Sequence, residues 1–444
     1  MKLSAFFTSS NRSGRFAWTL SGSFVNLVAA AIYSFLLIPL VLHFENSERL
    51  GLWLLISQVA SSLLMIDAGV TPLSIRQFIS PLTHGDLSQL TPRFQATIAI
   101  SMIQGLVVFF FGFTSIWFVD LFKVPEIFQA DFCRLFLAQC LLVSIGFPLR
   151  PFNSLLLAKQ TYALSYIVSA ASMLISLGLI WVGFSLGWSL WSIFLGNCFQ
   201  IICNSAFTFY RVARIPRFAI LLSKNYLWIQ QVPHVFREST AFASGSVFVA
   251  LGGFFQSTMV SRLFDLEGVA VWNVGAKITT LLSQVISKFF ESSFAPLSEL
   301  EVQQKRKLMI NRFLQLFLFT SSFAFVCAVF VLFFNDSFIT WWTKGQILWP
   351  NAATYAMAFW LIAFTINRAF SLLPGVLLHW STIRLAPLFE FLSLAVSLFI
   401  ASSANNLTVF AWCWAISPLL GGLFVNLRGL IQLRLRLPSF LFVC

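Results

Sequence analysis

The sequence predicts an all-α polytopic membrane protein, with about twelve transmembrane helices in two six-helix pseudo-repeat bundles and both termini cytoplasmic. Three observations carry this. Of 444 residues, 58% are hydrophobic and 10% charged, whereas soluble domains carry about 25% charged residues. Apolar runs of roughly 20 residues, the length that crosses the hydrocarbon core, recur along the whole chain. The basic residues also alternate between successive loops as membrane topology requires.

The first sixteen residues hold Lys2, Arg12 and Arg15 but no apolar run ending in a small-residue cleavage site. No removable signal peptide is expected, and the first apolar stretch reads as the first span. Spans are expected near 17–43, 51–74, 94–118, 132–156, 162–184 and 188–210. A second set follows near 239–261, 269–294, 313–334, 352–377, 382–402 and 406–427. With the amino terminus inside, twenty of the 28 Lys and Arg fall on the cytoplasmic side, five fall outside, and Lys277, Lys288 and Arg368 lie within spans. The net charge of +13 thus serves topology and contact with anionic lipid head groups. Being spread over many short loops, it does not form a nucleic-acid-binding surface.

Three segments follow: a first bundle over 1–210, a basic linker over 211–238 containing Pro216 and Pro233, and a second bundle over 239–444. The halves look related. "ERLGLW" (Glu48 to Trp53) parallels "EGVAVW" (Glu267 to Trp272) at an offset of 219 residues. "LLLAKQTYALSY", ending at Tyr166, parallels the stretch "GVLLHWSTIRLAP", ending at Pro387, at an offset of 221. Six spans per half make this a parallel repeat, an architecture that places a transport site between its halves. The seven cysteines lie mostly inside apolar stretches without a CxxC pair, and the four histidines are scattered singly. Neither a disulfide framework nor a metal site is expected.

Chemistry concentrates in the eighth span. Lys277, Thr280, Gln284, Lys288 and Glu291 recur at helical spacing among Val, Leu, Ile and Phe, so they share one face. Charged groups facing acyl chains cost about 2.5–3.5 kcal/mol each on insertion scales. That face therefore looks at protein or water.

Two segments carry a family resemblance. "LGLWLLISQVASSLLMIDAGVTPLSIRQFI" (Leu50 to Ile79) resembles the second-helix signature of Wzx-type polysaccharide flippases: a Gly-x-Trp start, an Asp-x-Gly break at Asp67 and Gly69, and a downstream Arg, here Arg76. The segment from Val260 to Leu300, with its short acidic turn and Pro296, is similar to the seventh–eighth helix region of the same family. These flippases share a superfamily with MATE drug exporters and MurJ lipid II flippases. The resemblance implies two bundles around a central cavity in a bacterial cytoplasmic (inner) membrane. It implies as cargo an undecaprenyl-diphosphate-linked oligosaccharide, an O-antigen-type unit of lipopolysaccharide biosynthesis, turned to the periplasmic leaflet. Polysaccharide polymerase and chain-length proteins are the partners it suggests.

Such a cargo needs a wet cationic cavity. Lys277, Gln284, Lys288, Asn367, Arg368 and Arg76 are the candidate substrate contacts, because ammonium groups hold phosphate as point charges and guanidinium grips it bidentately. For Lys288 an ion pair with Glu291 competes equally, and Arg368 has Asp67 as a conceivable partner. Asp67 and Glu291 are candidates for H+ or Na+ coupling or for gating; for Asp67, satisfying backbone amides freed at the break is the stronger reading. Glu390 is placed where it could pair with Arg384 at a helix end, and Arg150, between Pro148 and Pro151, is read as part of a kinked span end. Trp341, Trp342 and Trp349 read as an interfacial belt. A MATE-like ion-coupled exporter of small molecules is the alternative function. An enzyme is not expected, since no nucleophile–base or nucleotide-binding constellation appears, and no cofactor is implied.

Overall fold

A computed structural model of the chain describes residues 12–67, 69–84, 86–159, 161–215, 227–377 and 380–432. Every element among them is helical. In the first part run α1 (Arg12–Phe44), α2 (Ser47–Leu63), α3 (Val70–His84), α4 (Leu87–Phe118), α5 (Glu126–Gly146), α6 (Arg150–Ala158), α7 (Ala163–Ser185) and α8 (Trp191–Ala213). The long α9 (Leu227–Gly275) follows, then α10 (Lys277–Val302), α11 (Arg306–Trp342), α12 (Asn351–Val376), α13 (Trp380–Ser402), α14 (Leu407–Ser417) and α15 (Phe424–Gln432). The helices form two compact units divided at Ala243 and Ser244.

Ten stretches among the described residues are long and apolar enough to cross a membrane, and side chains such as Phe333 (75% exposed) and Val326 (65%) cover their outer faces. Exposed apolar surface on this scale is stable only against lipid, so the chain is a multi-pass membrane protein. The two remaining expected spans, the second and the eighth, are helical but fall short on this measure. α2 has only 17 residues before a 3-10 turn at Leu64–Asp67, and α10 carries the Lys277–Glu291 stripe. They occupy corresponding places in the two halves.

In the first unit α7 packs between α1 and α8, and α4 against α5 and α3. Phe78, Phe94, Phe152 and Leu155 form a core where α3, α4 and α6 meet. Asn46 caps α2 by accepting from the backbone N–H of Arg49, which satisfies a donor that the helix start leaves free. Asp86 caps α4 in the same way, and its carboxyl is held below the ordinary range, chiefly by the Ser88 hydroxyl. The expected linker 211–238 is partly helix: its end, from Leu227, forms the first turns of α9, with Val235 buried against Val70, Leu73 and Ala96. Residues 216–226 lie outside the described residues.

In the second unit α12 is central, packed by α10, α11 and α14, around a core that includes Ile286, Phe290, Phe313, Leu361 and Phe370. α9 is not one straight rod. Asp265 has φ 55 and ψ −169, a non-helical conformation rare for a residue with a side chain. Asp265 lies 219 residues after the cap Asn46, the offset of the sequence repeat, so the second helix of each half starts at a polar break. Trp341 is exposed, but Trp342 and Trp349 are buried. The Trp349 indole N–H donates to Thr354 at 3.0 Å, which allows a ring expected at the interface to pack inside.

Candidate functional site

The polar stripe begins at an interruption. The helical path breaks for one residue at Ala276, where the Trp349 ring lies against Gly275. Fully buried Asn335 donates its amide to the Gly275 carbonyl at 3.3 Å. A backbone acceptor loosened inside a membrane must find such a partner. Lys277 is the first residue of the renewed helix. It is half-buried, and no carboxylate among the described residues lies within ion-pair distance of it. Gln284 is exposed on the same face, and Thr280 donates back to the Ala276 carbonyl at 2.9 Å. Lys288 meets Glu291 at 2.7 Å. Of the two readings open for Lys288, the ion pair is the arrangement present.

Arg368 on α12 is exposed and lines a cavity of about 370 Å³ together with Phe290, Glu291, Phe294, Ser371 and Gly375. The cavity thus brings together a carboxylate of the α10 stripe and the deep cation of α12. Asn367, one residue earlier and so about 100° around the helix, is 7% exposed and points elsewhere. It accepts from the Asn426 amide at 3.2 Å and hydrogen-bonds the Glu390 carboxylate, which also feels the charge of Arg368. Glu390 is therefore not held by Arg384, which is exposed.

This cluster escaped the sequence reading, yet a structural oddity marks it. Between α14 and α15 the chain forms a π-helical turn over Pro418–Leu423, a departure frequent at functional sites. Its Gly421 packs on the backbone of Phe389 and Glu390, and Gly422 packs on the Asn367 amide.

In the first unit, Asp67 is the hub. Its carboxylate accepts from the Thr71 N–H at 3.0 Å and the Thr71 hydroxyl at 2.8 Å, capping the start of α3 beyond Gly69, whose φ is +73. Arg150 meets the same carboxylate at 3.1 Å and donates to the Leu64 carbonyl at 3.2 Å, with its guanidinium over the Phe147 ring. Gln104 donates to the Asp67 carbonyl at 2.9 Å. The partner of Asp67 is thus Arg150. The signal that could have found it was an Arg set between two prolines in an apolar span. Arg76 is exposed on α3, more than two turns beyond Asp67. Among the described residues no group of three or more His, Cys, Asp or Glu is placed to hold a metal ion.

No protein-family model matches the sequence, and no curated protein matches it either. Solved structures do match, at the level of the fold. The chain is similar to an inward-facing multidrug resistance MATE family transporter of the MOP superfamily, with TM-score 0.66 at 12% identity over 94% of this chain and 96% of the other. An outward-facing multidrug resistance MATE transporter matches with TM-score 0.63 at 13% identity over 98% of each chain. A MOP superfamily transporter from Pyrococcus furiosus, described as having a binding pocket of reverse polarity that suggests a different function, matches with TM-score 0.64 at 13% identity over 98% of each chain. The fold is therefore that of the MATE transporters, and the neighbours are transporters rather than enzymes.

Proposed function

We propose that this chain is a flippase, moving an undecaprenyl-diphosphate-linked oligosaccharide from the cytoplasmic to the periplasmic leaflet of a bacterial inner membrane by alternating access. The observation that carries the reading is the balance of intramembrane charge. Glu291 is matched by Lys288 and Asp67 by Arg150. Among the described residues, Lys277 and Arg368 stand beyond those pairs, with Glu390 as the carboxylate near Arg368. An anionic diphosphate head suits such a surplus of cations, whereas a polyprenyl tail needs no charge and stays in lipid. Arg368 at the cavity wall and Lys277 at the helix break are the proposed head-group contacts, with Gln284 supporting and Arg76 nearer the membrane surface. Should H+ or Na+ drive the cycle, Glu390 offers a carboxylate held by the Asn367 amide near Arg368, while Asp67 and Glu291 are already ion-paired.

The alternative reading is a MATE-like ion-coupled exporter of small molecules, favoured by the multidrug neighbours on the same fold. Deleting the gene separates the two. The flippase reading expects undecaprenyl-linked repeat units to accumulate facing the cytoplasm and the surface glycan to be lost. Normal surface glycan in the deletion strain would refute it.

A further inference from the structure

We propose that the wedge between the loop-proximal ends of α10 and α11 binds an anionic phospholipid, with its phosphate at Arg312 and an acyl chain along the leucines. The two helices form a hairpin closed through Gln303–Lys305, and between them lies a cavity of about 550 Å³. Leu297, Leu300, Leu308 and Leu316 supply most of its wall, and Pro296 opens it. Proline removes a main-chain hydrogen bond and its ring crowds the preceding turn, so α10 cannot close tightly on its neighbour here. The two serines of the lining, Ser292 and Ser293, both return their hydroxyls to the Phe289 carbonyl. The wedge is therefore apolar apart from Gln303 and Arg312.

Arg312, between Leu308 and Leu316 on α11, is the one charged residue of the lining. Its guanidinium donates to the neutral Gln315 amide at 3.0 Å, which leaves the charge uncompensated. Lys305, Arg306 and Lys307 are exposed at the adjoining start of α11, while Glu301 lies outside the lining. The wall runs from Ser292 to Gln303, about 16 Å of helix, close to one leaflet's share of a hydrocarbon core about 30 Å thick. The loop charges assign this end to the cytoplasm, where the leaflet is anionic and basic pockets between helices take lipid head groups. A slot one leaflet deep, walled by leucines, with Arg312 partway along it and Lys305, Arg306 and Lys307 at its mouth, has the chemistry of a phospholipid carrying net negative charge. A zwitterionic lipid also offers a phosphate, but its own ammonium offsets that charge, so it would hold Arg312 more weakly.

The test uses the purified full chain in detergent, titrated with phosphatidylglycerol, phosphatidylcholine or undecaprenyl phosphate, with thermal midpoint and lipid retention in native mass spectrometry as readouts. Phosphatidylglycerol is expected to stabilise the protein at lower concentration than phosphatidylcholine. Arg312→Gln is expected to weaken phosphatidylglycerol about tenfold, the size of one lost charge-assisted contact, without moving the lipid-free midpoint. Leu308→Trp keeps the charge but fills the wedge, and should weaken phosphatidylglycerol as well. Equal response to the two phospholipids, or full phosphatidylglycerol binding by either variant, would overturn the proposal. An Arg312-dependent response to undecaprenyl phosphate alone would overturn the phospholipid assignment and leave the proposed cargo as occupant.

Discussion

Asp67 and Arg150 show how much an intramembrane charge depends on its partner. Their side chains are only 15% and 21% exposed, and removing one member of a buried pair typically costs about 3–5 kcal/mol because the other is left uncompensated. Arg150→Gln should therefore lower the thermal midpoint of the detergent-solubilised protein sharply. The double variant Asp67→Asn, Arg150→Gln should recover part of that loss, because it leaves no orphaned charge; a double variant that simply sums the two single losses would show the residues uncoupled. The pair was hard to read from sequence for a physical reason. Lys288 and Glu291 are neighbours by helix geometry alone, so their pairing was open to prediction. Arg150 meets Asp67 only because the turn after α2 and the joint between α5 and α6 pack together, and no local spacing encodes that. Glu390 and Asn367 are the same case, on separate helices brought together by tertiary packing.

At the scale of elements, the two expected spans that are too short or too polar to count as membrane-crossing helices are each half's second helix. Each starts at a polar break, Asn46 or Asp265, and each is interrupted further on, at Leu64–Asp67 and at Ala276. Short or broken hydrophobic segments at matching places in two halves point to the working region of a transporter. The sequence shows the apolar helices, the stripe on α10 and the first break, at Asp67 and Gly69, but the break at Ala276 depends on Asn335 and Trp349 reaching in from elsewhere in the fold. The π turn before α15 is a third irregularity, and it can be tested. A Cβ on Gly421 would lie 2.6 Å from the Glu390 Cα and would also meet the Phe389 backbone. Backbone cannot step aside as a flexible side chain does, so Gly421→Ala should destabilise by about 1–3 kcal/mol, as overpacking does. Gly146→Ala, at a position with open space around it, serves as control and should be neutral or stabilise by up to about 1 kcal/mol. Equal midpoints for the two variants would mean that the tight contact at Gly421 is absent in the folded protein.

The molecule as a whole has the fold of proteins to which it is only 12–13% identical, and a fold so widely shared does not choose the cargo. What differs between members is the chemistry of the intramembrane surface, and the Pyrococcus furiosus neighbour is itself described in terms of a reversed pocket polarity. On the flippase reading, Lys277 and Arg368 set that chemistry here. A cavity that captures cationic drugs would be expected to present carboxylates, because a fixed cation repels a cationic guest and strengthens the hold on an anionic one. Lys277→Gln with Arg368→Gln should thus reduce surface glycan at least about tenfold, the consequence of losing one or more charge-assisted contacts to the head group, with the protein still present in the membrane at normal level. Overproduction of the unaltered chain should leave resistance to cationic dyes unchanged. If the double variant keeps full glycan export while overproduction confers dye resistance, these cations do not hold the cargo, and the exporter reading takes the place of the flippase.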